Sequence, residues 1–444
     1  MAYKKIKDRF KSPYSGISYE CLNLSVTQAE LDVISVLCKI KNKINWEQEI
    51  KSPKARTKLF NELSEEFSEN SIQFAFDELR YYIRKGRSEG ILPGPVDKTY
   101  TSDSIIPENL QECLINQVKK LENVPDNELN WRPSSNKQIL DLVDPLLYPL
   151  VLGETRAISN CVDPCEVIDW KSVIGSGKVC NLMIEPKTLE VYDYHNLWDQ
   201  YLDSAYFYHK YQWLPAEIKV NSKGKAKILS YINNLHPDIH KDLYTTIEDI
   251  FGRFIPIIQK SLTDTALYNN ELDWGRVSYN DLPVESFNEY AFRQCAKRGL
   301  LTEEQKKYIE KNGIENAIPS DACKELLSEN YEMFKKRKPP TGLKFDPRKI
   351  PTGIKKIGLK NTRLQVVVKL ENIVLTPSNS KYEGGVWSVD GIKDEFIISS
   401  AIYYYDKENV TESQLDFRTI TTNPSLSLGG EVSAGNIVNL CFYI

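Results

Sequence analysis

The 444 residues carry 57 Lys and Arg against 61 Asp and Glu, a formal net charge of -4, with 41% hydrophobic and 11% aromatic residues. That length predicts about two or three domains, or one large domain with a flank, and the even charge balance excludes a chain-wide phosphate-neutralising surface and general nucleic-acid binding. Nine cysteines, an odd number without regular spacing, exclude a disulfide framework; no secretory signal and no run near the roughly 18 apolar residues of a membrane span is found, so the expectation is a cytoplasmic protein off the membrane.

Thr27 and Glu30 form a capping box, each side chain satisfying an orphan backbone N–H at a helix start, and Leu31, Ile34 and Cys38 follow at helical spacing. Phe60, Leu63 and Phe67 mark a second helix; Ile72, Phe76, Leu79 and Ile83 mark a third that stops at Gly86. Residues 1–90 are therefore expected to form a helical N-terminal unit. Gly90 to Pro95 reads as a loop, since its prolines lack a backbone donor, and helical signals resume at Pro107. Asn130 to Pro133 is irregular, and Ile139 to Leu152 reads as short helix and turn, well buried. Tyr192 to Trp213 is rich in tyrosine and tryptophan; acids outnumber bases there, which favours an aromatic core or interface over base stacking. Leu229 to Leu235 and Ile239 to Ile258 read as a short and a long helix, the latter ending near Pro256. Residues 91–335 are thus expected to be mainly helical with irregular aromatic-rich segments.

Lys335 to Lys360 turns basic and rich in proline and glycine, the clearest composition boundary, and Lys335 to Lys338 reads as a solvated linker. Beyond it the period changes to two. Leu364, Val366, Val368 and Leu370 alternate, as do Phe396, Ile398, Ile402 and Tyr404 around Ser400, and Ile437 to Ile444 is again apolar. Residues 336–444 are expected to be β-rich, and the fold class of the whole chain is α+β.

Most local motifs reduce to structural readings. Ile174-Gly175-Ser176-Gly177-Lys178 has Ser172 where a phosphate loop needs its first glycine and Val179 where it needs Ser or Thr, so a tight turn is expected. Cys161, Cys165 and Cys180 lack the fourth ligand of a zinc cluster. His236 and His240 share a face only on a continuous helix, and Pro237 places a helix start there instead, with His236 near the N-cap. In Trp387-Ser388-Val389-Asp390 the carboxylate of a facial iron triad is in place, with serine where its histidine belongs.

GGVWSVDG from Gly384, the segment ending AIYYYD at Asp406 and ENVTESQLDFR from Glu408 resemble the C-terminal signature of a fungal family called domain-of-unknown-function family 4246. Trp131 to Arg156, Gln212 to Pro215, Ser230 to Pro237, Val96 to Pro107 and Leu364 to Pro377 resemble it too, so the likeness spans most of the chain from about residue 90. It implies a double-stranded β-helix, or jelly roll, similar to that of 2-oxoglutarate/Fe(II) dioxygenases. By position the first metal ligand falls on Ser388 and the carboxylate on Asp390, while the second histidine and the arginine for the cosubstrate have no counterpart before Ile444.

The resemblance would imply Fe(II) and 2-oxoglutarate, yet a serine hydroxyl is a poor Fe(II) ligand and one aspartate cannot hold a transition metal against water. The expectation is a pseudoenzyme with a truncated jelly roll, no cofactor, and a vestigial metal position at Asp390. A shortened β-helix would leave a strand edge open to a protein partner or a second copy. Two alternatives stay open: an active oxygenase drawing ligands from His236 or His240, and an interaction scaffold built on Tyr192 to Trp213.

Overall fold

The computed structural model describes residues 28–43, 45–85, 90–96, 98–158, 170–180, 211–268, 295–312, 343–350, 356–385, 395, 397–411, 413 and 415–417. Those within 18–99 and 270–353 make one compact unit, and those within 100–269 and 354–414 make another.

The first unit is helical: α1 (Gln28–Lys41), α2 (Trp46–Lys51), α3 (Pro53–Leu63) and α4 (Glu69–Lys85), with a separate helix at Glu303–Asn312. In α4 the predicted stripe of Ile72, Phe76, Leu79 and Ile83 is buried throughout. In α1 the buried face is Ala29, Val33, Val36, Leu37 and Ile40, one step around the helix from the expected Leu31, Ile34 and Cys38, which are only half-buried. Leucine and isoleucine there lie on both flanks of the stripe, so spacing alone does not choose the face. Thr27 lies outside the described residues. Ser52 ends α2 and caps α3, its Oγ accepting the Ala55 N–H at 3.4 Å ahead of Pro53 at the first helical position. α3 stops at Leu63, and Phe67 packs against the core from beyond the helix. Each fully buried large apolar side chain here contributes about 1.5–3 kcal/mol over an exposed one.

The second unit is mixed. α5 (Glu108–Glu122) and α6 (Lys241–Tyr268) accompany strands β1 (Ile139–Val143), β2 (Leu150–Val151), β3 (Arg156–Ala157), β4 (Lys178–Val179), β5 (Tyr211–Gln212), β6 (Ala216–Val220), β7 (Ala226–Ile228), β8 (Thr362–Val366) and β9 (Leu370–Ile373). β8, β6 and β7 form an antiparallel sheet with β6 central, Ile218 pairing with both Leu364 and Ile228. Ala216, Ile218 and Val220 alternate inward into the cores that the apolar face of α6 also joins. Asn221 closes the β6–β7 turn, its Oδ1 accepting the Lys223 and Lys225 N–H groups at 2.9 and 3.0 Å, while Gly224 takes the left-handed conformation at φ +84°. β9 pairs antiparallel with β1 across a bulge between Leu370 and Glu371, and two-residue ladders join β2 to β5 and β3 to β4.

The fold is therefore α+β, built of helices and small antiparallel sheets, with no closed barrel among the described residues. Several expectations are corrected. Ile139 to Leu152 holds two strands rather than a helix, because β1 finds its hydrogen-bond partner in β9. Leu229 to Leu235 is a turn. α6 runs through Pro256 to Tyr268: the proline itself is exposed, and burial of Ile255 and Leu262 offsets the bond lost at the Gly252 carbonyl. In 397–406 no strand is assigned, and the inward face is Tyr403 and Tyr405 rather than the expected Ile398, Ile402 and Tyr404, which are exposed. The turn expected at Gly175 to Lys178 is present, with the Ser176 N–H on the Val173 carbonyl at 3.0 Å. No described helix is long and apolar enough to cross a membrane.

Candidate functional site

Trp387, Ser388 and Asp390 lie outside the described residues, and so do Cys161, Cys165, Tyr192 to Lys210 and Ile437 to Ile444. The chain on either side of 386–394 is fixed. Before it, the Gln138 side chain donates to the carbonyls of Asn379 and Lys381, at 3.3 and 2.9 Å, and the Gln138 backbone carbonyl accepts the Val374 N–H at 2.8 Å. Asn379 in turn donates to the Asn136 carbonyl at 3.0 Å. After it, the Glu395 carboxylate accepts the Trp213 N–H at 3.0 Å, next to β5.

Beside this frame is a charge network that no sequence motif announced. Arg132 grips the buried Asp141 with Nε and Nη2, Nε to Oδ2 being 3.1 Å, and Nη2 also reaches Glu371 on the facing strand. Asp141 and Glu371 are register partners in the β1–β9 ladder, so both carboxylates emerge where one guanidinium can bridge them. Lys369 adds a second cation to Glu371 at 2.8 Å, and Asp144 stands 4.0 Å from Arg132. Burial opposes the Arg132 charge, but its bonds to Asp141 and Glu371 outweigh burial and raise its pKa. Burial acts against the Glu371 charge too, yet Lys369 and Arg132 hold its carboxyl below the usual range. Asp144 goes the other way: burial, aided by the nearby Asp141, pushes its carboxyl up against the opposing Leu146 N–H bond. The arrangement is a closed set of ion pairs that clamps two strands. It leaves none of these carboxylates bare for a metal or a substrate proton.

Asp144 also begins a turn stapled to the Ser230 to Pro237 segment. Asn234 donates to the Asp144 carbonyl at 2.5 Å while its Oδ1 accepts the Asp144 N–H at 3.4 Å, and Asn233 donates to the Leu147 and Tyr148 carbonyls at 2.8 and 3.2 Å. Tyr244, on α6, accepts the Ile232 N–H and donates to the Leu235 carbonyl, both at 2.8 Å. Burial pushes its phenol up to about 12.

The two histidines sit at the start of α6, as Pro237 implied. His236 Nδ1 accepts the Asp238 and Ile239 N–H groups at 3.2 and 3.3 Å. Both bonds hold the ring against the backbone that leads into α6, so Nδ1 is already engaged. His240 is depressed, first by burial and then by the neighbouring His236 and Lys120. Among the described residues no group of three or more His, Cys, Asp or Glu side chains could hold a metal ion.

In 403–405, Tyr405 donates to Asn372 on β9 and its carbonyl accepts from Gln111 on α5 at 2.6 Å, with burial, then Glu122 and Asp406, raising its phenol to about 12. The residues missed in the sequence are Arg132, Asp141, Glu371, Gln138 and Glu395. The Arg and Asp nine apart on either side of the Pro133 to Lys137 turn were a readable signal for the first pair; nothing local signalled the others.

These elements define a mixed α+β protein whose polar centre is an ion-pair clamp between distant strands. A family model described as Protein of unknown function (DUF4246) matches residues 69–436, and the chain belongs to that family. No curated protein and no solved structure matches it.

Proposed function

We propose that this chain is a catalytically silent member of its family, keeping a dioxygenase-like, jelly roll-type scaffold of which β8 and β9 are pieces, and binding neither iron nor 2-oxoglutarate at Asp390. The observation that carries the reading is the engagement of His236 Nδ1 by two backbone N–H groups ahead of α6. With Ser388 at the first ligand position, an active site would have to borrow imidazoles, and His236 can serve only by giving up both backbone N–H groups that start α6. The carboxylates next to the frame are equally committed, the buried Asp141 to Arg132 and the exposed Glu371 to Arg132 and Lys369.

Anaerobic calorimetry with Fe(II) tests this on the full chain. The expected result is the same weak, non-saturating heat for the natural protein and Asp390→Ala. Ser388→His, which adds an imidazole two residues from Asp390, is expected to gain affinity that Asp390→Ala removes. Saturable, Asp390-dependent Fe(II) binding by the natural chain overturns the proposal.

A further inference from the structure

We propose that the solvent face of the β8–β6–β7 sheet is a docking surface for an acidic peptide segment of a partner protein. The register of the sheet sets Arg363, Lys219 and Lys227 opposite one another on three adjacent strands. Ile218 and Val220 are fully buried on the inner side of β6, so Lys219 between them points outward, and the row of three cations crosses the open face. With strands about 4.8 Å apart, the row spans roughly 10 Å.

The hairpin end of the sheet extends the patch. Lys223 and Lys225 are exposed in the β6–β7 turn, and Lys360 reaches over that turn from the approach to β8, its Cε 3.7 Å from the place a Cβ would take on Gly224. Neither 219–227 nor 356–363 contains an acidic residue. The nearby carboxylates are already engaged: Glu248 on α6 pairs with Lys227 at 3.0 Å and accepts the Ile228 N–H at 2.9 Å, and Glu217 accepts the Gln365 amide at 3.3 Å. Among the described residues Lys219, Lys223, Lys225 and Lys360 form no ion pair. Like charges directly opposite across strands destabilise a sheet, and two such pairs share Lys219. An anionic partner relieves both.

The chemistry of the patch selects among polyanions. Phosphate recognition favours the planar fork of arginine, whereas this surface is built mainly of lysine, a point charge that a carboxylate meets from many directions, and its single arginine is already engaged. Neither 216–228 nor 356–366 contains an aromatic residue on which a base could stack, and no large apolar side chain is exposed there for a bilayer to take up.

Fluorescence anisotropy of a labelled glutamate decapeptide, titrated with the full chain at about 50 mM salt, tests the assignment. Saturable binding is expected, weakened on the order of tenfold or more in Lys219→Gln/Lys225→Gln/Lys360→Gln. A charge-matched control in the helical unit, Lys54→Gln/Lys58→Gln/Lys307→Gln, should bind as the natural chain does; circular dichroism establishes that both triple variants remain folded. Absence of saturable binding, or equal affinity in the two triple variants, overturns the surface. A thymidine oligonucleotide of the same length, or vesicles of roughly 20% phosphatidylserine in phosphatidylcholine, should bind more weakly than the peptide. Tighter binding of either, lost in the sheet variant, overturns the choice of an acidic peptide. None of these outcomes depends on metal binding at Asp390.

Discussion

The helical unit takes its core from side chains three or four residues apart between Ala29 and Ile83, whereas the mixed unit is tied together by groups far apart in sequence. Arg132 reaches Glu371, 239 residues away; Asn372 reaches Glu122 across 250, and Gln111 reaches Tyr405 across 294. Apolar stripes bury area without regard to partner identity, so neighbouring residues can share the loss of one. A clamp of matched charges depends on each member.

The sharpest way to break that contrast is at Arg132. Arg132→Ala leaves Asp141 buried and unpaired, and an orphaned buried charge costs about 3–5 kcal/mol. Urea unfolding followed through the tryptophans should show that loss. The double change Arg132→Met, Asp141→Leu should recover much of it, because the buried carboxylate is then replaced by an apolar side chain together with its partner. In the helical unit, Phe76→Ala should cost about 3–5 kcal/mol through the cavity it opens, and no polar partner change should rescue it.

A smaller effect is expected for Tyr244→Phe. It strips the partner from the Ile232 N–H and the Leu235 carbonyl, at about 1–3 kcal/mol, and should raise amide exchange at Ile232 before it moves the urea midpoint. Smallest is the pH response. The depressed Glu371 carboxyl contributes stability that is present above its unfolded pKa and lost as pH falls through its lower folded value. Asp144, with a raised folded pKa, is a liability while charged, and that liability is relieved as pH falls through the raised value. Asp144→Asn should therefore lift the urea midpoint at pH 7 and lose that advantage under acid, whereas Glu371→Gln should lower it at pH 7 and matter less under acid. Opposite signs at two carboxylates of one network would confirm that charge, rather than shape, holds β1 to β9.

The same contrast explains what could be read from the sequence. The α4 stripe was legible because period and burial agree at Ile72, Phe76, Leu79 and Ile83. β1 was misread because Ile139 to Val143 is a short apolar run beside Pro145, and its strand identity is conferred by β9. At 397–406 the two-residue period was visible but its phase was not, since isoleucine and tyrosine occupy both parities and Tyr403 and Tyr405 are chosen by the core they meet. At the candidate site, Pro237 correctly placed His236 at a helix start. The anchors Gln138 and Glu395 are ordinary polar residues, defined as anchors only by partners elsewhere in the chain.

The pairing of Ile139 with Ile373 also sets a timetable for synthesis. At about 5–20 residues per second, roughly 12–45 s separate the emergence of β1 from that of β9. Through that interval a strand destined to be buried on both sides has no ladder, and Asp141 has only Arg132. The helical unit can consolidate its residues 28–85 meanwhile, while β1 still lacks the strand it pairs with. Growth conditions that slow elongation lengthen that exposure, so the yield of folded protein should depend on translation speed more than its final stability would imply.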